Sequence, residues 1–150
     1  MRRTLMVAGF MAISVVGYAQ GVMENIGNWN GRSSPAGGYG PYSACWGYTA
    51  PDGREYALLG SFQGTSIIDI TDAPELKEVA FIPGPESSWR EMKTYREYAF
   101  IVSEGTTLPD PGVQIIDLSE LPDTARLVEV FVWVDPSTQA SHPRAHSVSV

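Results

Sequence analysis

Cysteine is nearly absent from this chain: Cys45 stands alone in 150 residues. No internal disulfide can brace the fold, so stability has to come from packed sheets or from a bound ion. Its setting among aromatics, Cys45-Trp46-Gly47-Tyr48, leads us to expect a small buried hydrophobe rather than a reactive thiol. Positive charge is also scarce, with 10 Lys and Arg against 17 Asp and Glu and a net charge of −7. No basic cluster offsets it, and such a surface repels phosphate backbones, so nucleic acid is not an expected partner. The sequence has no Asn-x-Ser/Thr glycosylation sequon, no Gly-x-Ser-x-Gly elbow, no Walker phosphate loop and no dinucleotide fingerprint. Long apolar runs are missing as well. Leu5 to Val16 is the longest, short of the roughly 20 residues that a membrane-spanning helix needs.

That run has a different meaning. Arg2 and Arg3 precede it and Gly17-Tyr18-Ala19 follows it, the layout of a secretory signal peptide cut after Ala19. Residues 1–19 are therefore read as a leader. Its loss removes two arginines and takes the net charge to −9. Residues 20–44, rich in Gly, Asn, Ser and Pro, read as an irregular lead-in. Its Ile26, Trp29 and Tyr39 suggest that it packs against the domain.

From there the chain repeats itself. Arg54-Glu55-Tyr56-Ala57-Leu58-Leu59, Ser66-Ile67-Ile68-Asp69-Ile70 and Lys77-Glu78-Val79-Ala80-Phe81-Ile82 are answered in order by three later phrases. These are Arg96-Glu97-Tyr98-Ala99-Phe100-Ile101, Gln114-Ile115-Ile116-Asp117-Leu118 and Leu127-Val128-Glu129-Val130-Phe131-Val132. The offset is 42 residues at Tyr56/Tyr98 and 48 at Asp69/Asp117, so the second copy has a longer internal loop. Each copy reads as four short strands joined by turns, with Pro51-Asp52-Gly53 a hairpin turn in which Gly supplies a positive φ. We place strands at 45–49, 56–59, 66–70 and 77–82, then at 89–95, 98–102, 113–118 and 126–133. A period of about 40–50 residues with four strands is that of a β-propeller blade. The expectation is an all-β propeller with blades at 45–85 and 86–134 and the first strand of a third within 135–150. A closed ring needs about four to eight blades, so the chain is expected to be part of a longer one or to close by self-association.

The Ile67-Ile68-Asp69-Ile70 and Ile115-Ile116-Asp117-Leu118 phrases resemble LVIVD repeats, a propeller-type repeat. Cys45-Trp46-Gly47-Tyr48, Ser88-Trp89-Arg90-Glu91-Met92-Lys93-Thr94-Tyr95 and Ala145-His146 resemble the amino-terminal part of the choice-of-anchor B proteins. The resemblance covers about residues 40–150. It implies a bacterial exported β-propeller, secreted or displayed at the cell surface through a carboxy-terminal signal that this sequence does not contain. It implies no reaction.

Candidate site residues follow from aligning the copies. Trp46 falls opposite Glu91 and Tyr48 opposite Lys93, and strand alternation gives them equivalent faces. His146 falls at or next to the same place in the third unit. Since the first strand of a blade lines the channel, Trp46, Tyr48, Glu91, Lys93 and His146 are candidates for a polar-aromatic binding site at a channel mouth. The plainer alternative is that Glu91 and Lys93 form a structural ion pair and His146 a simple hydrogen bond. Asp69 and Asp117 recur at one point of each copy, which suits a carboxylate accepting turn N–H groups better than catalysis. His142 and His146 are four apart, but Pro143 and the strand-like context hold them about 13 Å apart, and no metal is assigned. Glu104 and Asp110 offer oxygens for calcium without the spacing of a dedicated loop, so no cofactor is assigned either. Nothing compels an enzyme. The leading expectation is a module binding a protein or glycan at the cell envelope. An exported hydrolase or lyase with Glu91 and His146 as acid–base pair, and a structural surface-assembly component, are the alternatives.

Overall fold

Short runs of β-branched and aromatic residues between Gly, Pro and Asp turns form ten strands in the computed structural model, which describes residues 24–33, 40–107 and 111–150. The expected leader and Asp110 lie outside the described residues. Strands β1 (Tyr42–Thr49), β2 (Glu55–Ser61), β3 (Gly64–Asp69) and β4 (Lys77–Pro83) make one antiparallel sheet in chain order. Strands β5 (Arg90–Tyr95), β6 (Tyr98–Ser103), β7 (Val113–Asp117) and β8 (Arg126–Phe131) make a second in the same order. The described residues are all-β, and no helix among them is long and apolar enough to cross a membrane.

The copies match in detail. Tyr56 faces Asp69 across its ladder and Tyr98 faces Asp117 across the other. Both third strands meet the fourth through a bulge at the same place, Ile67/Ile68 in the first sheet and Ile115/Ile116 in the second. The extra residue in each case is a valine, Val79 or Val128. An extra residue on the fourth strand sharpens the local twist. The β1–β2 turn holds Gly53 at φ 89°, a conformation that Gly reaches without steric cost.

Residues opposite one another in a ladder share a face. Tyr48, Tyr56, Leu58 and Ile67 share one face of the first sheet, and Met92, Ala99, Ile101 and Ile116 share one face of the second. These two faces meet and form the core. Arg90 lies in the same interface, 1 % exposed, donating from Nε to the Ser61 carbonyl at 3.2 Å and from Nη2 to the Pro85 carbonyl at 2.7 Å. Burial pushes its guanidinium down to about 10, so it is a cation at neutral pH held by carbonyl oxygens. Gln114 adds an Nε2 bond to the Pro83 carbonyl at 2.8 Å. The sheets draw closest along β1 and β5, while β4 and β8 barely meet.

Of the residues expected to seat the lead-in, Ile26 is exposed and Tyr39 lies outside the described residues, and the contact with the first sheet is made by a charged residue. Arg32 lies over the Phe81 ring at 3.6 Å, bonds the Ser66 hydroxyl and pairs with Glu78. It thereby covers the face of the first sheet that points away from the second.

Two expected strands differ. The run 126–133 breaks after Phe131, and β9 (Trp133–Val134) turns back to pair with β10 (Ser141–His142). The turn between them is closed by Asp135, whose Oδ1 accepts from the Ser137 N–H and hydroxyl at 2.8 and 2.7 Å. The stretch 145–150, expected as a strand, forms no ladder. Pro143 cannot donate to a ladder, and Ala145 N–H instead reaches the Ser103 carbonyl at 3.2 Å. Cys45 is exposed rather than buried, because β1 is the edge strand of its sheet and Cys45 points away from the interface that Trp46 faces.

Candidate binding site

The edge strands β1 and β5 bring together Trp46, Glu91 and Lys93, three of the residues singled out from the sequence. Trp46 projects from β1 toward the second sheet, and its indole Nε1 donates to the Thr94 hydroxyl at 3.1 Å. The Lys93 ammonium sits 4.1 Å from the centre of the Trp46 ring, a cation–π contact. Lys93 Nζ also donates to Glu91 Oε1 at 2.9 Å. The Lys93 hydrogen bond, then one from Ser147, holds the Glu91 carboxyl below its ordinary range. Glu91 and Lys93 are thus an ion pair, and one that also carries the Trp46 ring and the 145–147 segment.

His146 completes the group from outside the sheets. Its Nδ1 lies 2.8 Å from Glu104 Oε1, and its ring stacks on Trp89 at 4.2 Å with planes 10° apart. The Trp89 indole N–H donates to the His146 carbonyl at 2.7 Å. Trp89 and Glu104 are members of this group that the candidate set had left out. Strand alternation carried two residues back from Glu91 would have found Trp89, since 89, 91 and 93 have the same parity. No such signal exists for Glu104, which arrives from the β6–β7 loop.

Tyr48 is placed elsewhere. It shares the Trp46 face but is 8 % exposed, its ring 6.2 Å from that of Tyr56. Burial, then the Glu97 charge, pushes its hydroxyl pKa up. It is a core residue, two positions along β1 from Trp46 but covered by the facing sheet. Asp69 and Asp117 also lie away from it, at the ends of β3 and β7. Asp69 Oδ1 accepts from Thr71 N–H and Asp117 Oδ1 from Ser119 N–H, each at 2.9 Å. Their Oδ2 atoms take Arg54 and Arg126, each at 3.1 Å.

His142 and His146 do not converge: His142 packs against Trp133 at 4.8 Å while His146 packs on Trp89. Among the described residues no group of three or more His, Cys, Asp or Glu side chains is placed to hold a metal ion. Between the two histidines lies an open cavity of about 550 Å³ bordered by Glu104 and the 141–146 segment. The recess offers two imidazoles, the Glu104 carboxylate and the Arg144 guanidinium, with the Trp46, Lys93 and Glu91 group outside its lining, and such a mixture suits recognition of a polar ligand. Compared with known proteins, the chain matches no family model, no curated protein and no solved structure.

Proposed function

We propose that the chain is an exported, propeller-type module that binds a glycan or protein ligand at the bacterial cell envelope through the face where β1, β5 and the 145–147 segment meet. The observation that carries this reading is the gathering of Trp46, Lys93, Glu91, Trp89, His146 and Glu104, from four separate parts of the chain, on one partly exposed surface. Half-exposed tryptophans are costly to leave in water and are favoured at recognition surfaces. The propeller reading is supported by two like sheets that approach closely along their first strands and splay at their fourth. Further copies of that wedge would be needed to close a ring around β1 and β5. The LVIVD-like phrases and the choice-of-anchor B resemblance agree with it, as does the leader-like start.

A glycan array probed with the folded chain, followed by titration of the best ligand, tests the reading. Trp46→Ala and His146→Ala should each weaken binding at least tenfold while the far-ultraviolet spectrum stays unchanged. Wild-type binding that both variants retain would overturn the assignment of the site, and an array blank throughout would overturn the glycan ligand.

A further inference from the structure

We infer that the recess between the two histidines is a subsite for an acidic sugar, its carboxylate on Arg144, a hydroxyl on Glu104 and its ring against one of the two bordering imidazoles. The inference rests on the binding-module reading and names the ligand class for it.

Three observations lead there. First, both histidines border the cavity, and each imidazole is held by a tryptophan packed against it, His146 by Trp89 at 4.2 Å and His142 by Trp133 at 4.8 Å. Flat aromatic walls accept the apolar face of a sugar ring. Second, Arg144 borders the cavity and enters none of the ion pairs among the described residues. A guanidinium is the side chain best shaped to take a carboxylate through two parallel bonds. Third, Glu104 is turned to the same cavity and anchored by His146 Nδ1, which leaves acceptor capacity for a donor hydroxyl. A neutral sugar leaves Arg144 without its partner, and a simple carboxylate leaves Glu104 and the imidazoles unused. A uronic acid can engage Arg144, Glu104 and one imidazole face together.

The net charge of −7 does not oppose this. Exposed charges beyond about 8 Å are largely screened at physiological salt, so the scattered carboxylates act weakly there, and Glu104, the carboxylate that borders the cavity, is offset by Arg144.

Isothermal titration of the whole chain with trigalacturonate, neutral trigalactose and glutarate tests the inference. Trigalacturonate should bind at least tenfold more tightly than either other probe. Arg144→Gln should erase that preference without changing trigalactose binding, and Arg144→Lys should keep part of it. Equal affinity for the two trimers, or a preference untouched by Arg144→Gln, overturns the acidic-sugar subsite. Glutarate binding as tightly as trigalacturonate overturns the role of the ring and hydroxyls. Glycan-array binding that depends on Trp46 but shows no acid preference overturns this inference and leaves the broader reading standing.

Discussion

At the scale of single residues, Asp69 and Asp117 show how one side chain can close a turn and tie down a neighbour. Hydrogen bonds from Ser119 and then Arg126 hold the Asp117 carboxyl below its ordinary range. Burial raises that of Asp69, but Thr71 and Arg54 outweigh it and the net shift is again downward. A carboxyl lowered by folding contributes stability that is present above its unfolded value, about 3.9, and lost as pH falls through the folded value. Urea midpoints at pH 6 and pH 3 should therefore differ, and Asp117→Asn should shrink that difference, because an amide keeps an acceptor for Ser119 but does not titrate. An unchanged difference in the variant would show that the acid limb originates elsewhere. The recurrence of these aspartates was legible in the sequence, because a turn acceptor acts within two residues of itself. Their arginine partners were not: Arg54 comes from before β2 and Arg126 from β8, so the repeat does not carry them.

At the scale of elements, turn chemistry decides how well each hairpin closes. The β1–β2 turn has Gly53 where φ is positive, but the β5–β6 turn places Arg96 at φ 53°. A side chain there crowds the following carbonyl at a cost of about 1 kcal/mol or more. Arg96→Gly should raise stability by about 0.5–1 kcal/mol, seen as a higher urea midpoint with an unchanged slope. A lower midpoint would mean that the Arg96 contact with the Tyr95 ring, at 5.4 Å, outweighs the relief. Most strands were placed within a few residues by alternation and by Gly, Pro and Asp signals. The differences were at 126–133 and 145–150, where strand-forming residues are present but pairing depends on which strand lies alongside.

At the scale of the whole molecule, the sheets are fastened by apolar packing and by a cation without a carboxylate. Arg90→Met keeps the volume but strips the Ser61 and Pro85 carbonyls of their donor, at an expected cost of about 2–4 kcal/mol. Tryptophan fluorescence and far-ultraviolet dichroism should report one shared, lowered transition, because the core residues of each sheet are the lid of the other. Separate transitions would mean that each sheet holds its own structure. The interface also explains an asymmetry. Tyr56 is 1 % exposed beneath the second sheet, whereas its counterpart Tyr98 is 41 % exposed.

The sequence by itself determined the repeated four-strand unit, the turn positions and the parity that puts Glu91 and Lys93 on one face. Those depend on interactions a few residues long and on a period of two. Only the tertiary structure decided that Trp46 reaches Lys93 and Thr94, that Tyr48 sinks into the core, and that His146 meets Trp89 and Glu104. Parity fixes a side chain's face but not what covers it, and cover is set by how far one sheet is shifted and tilted over the next.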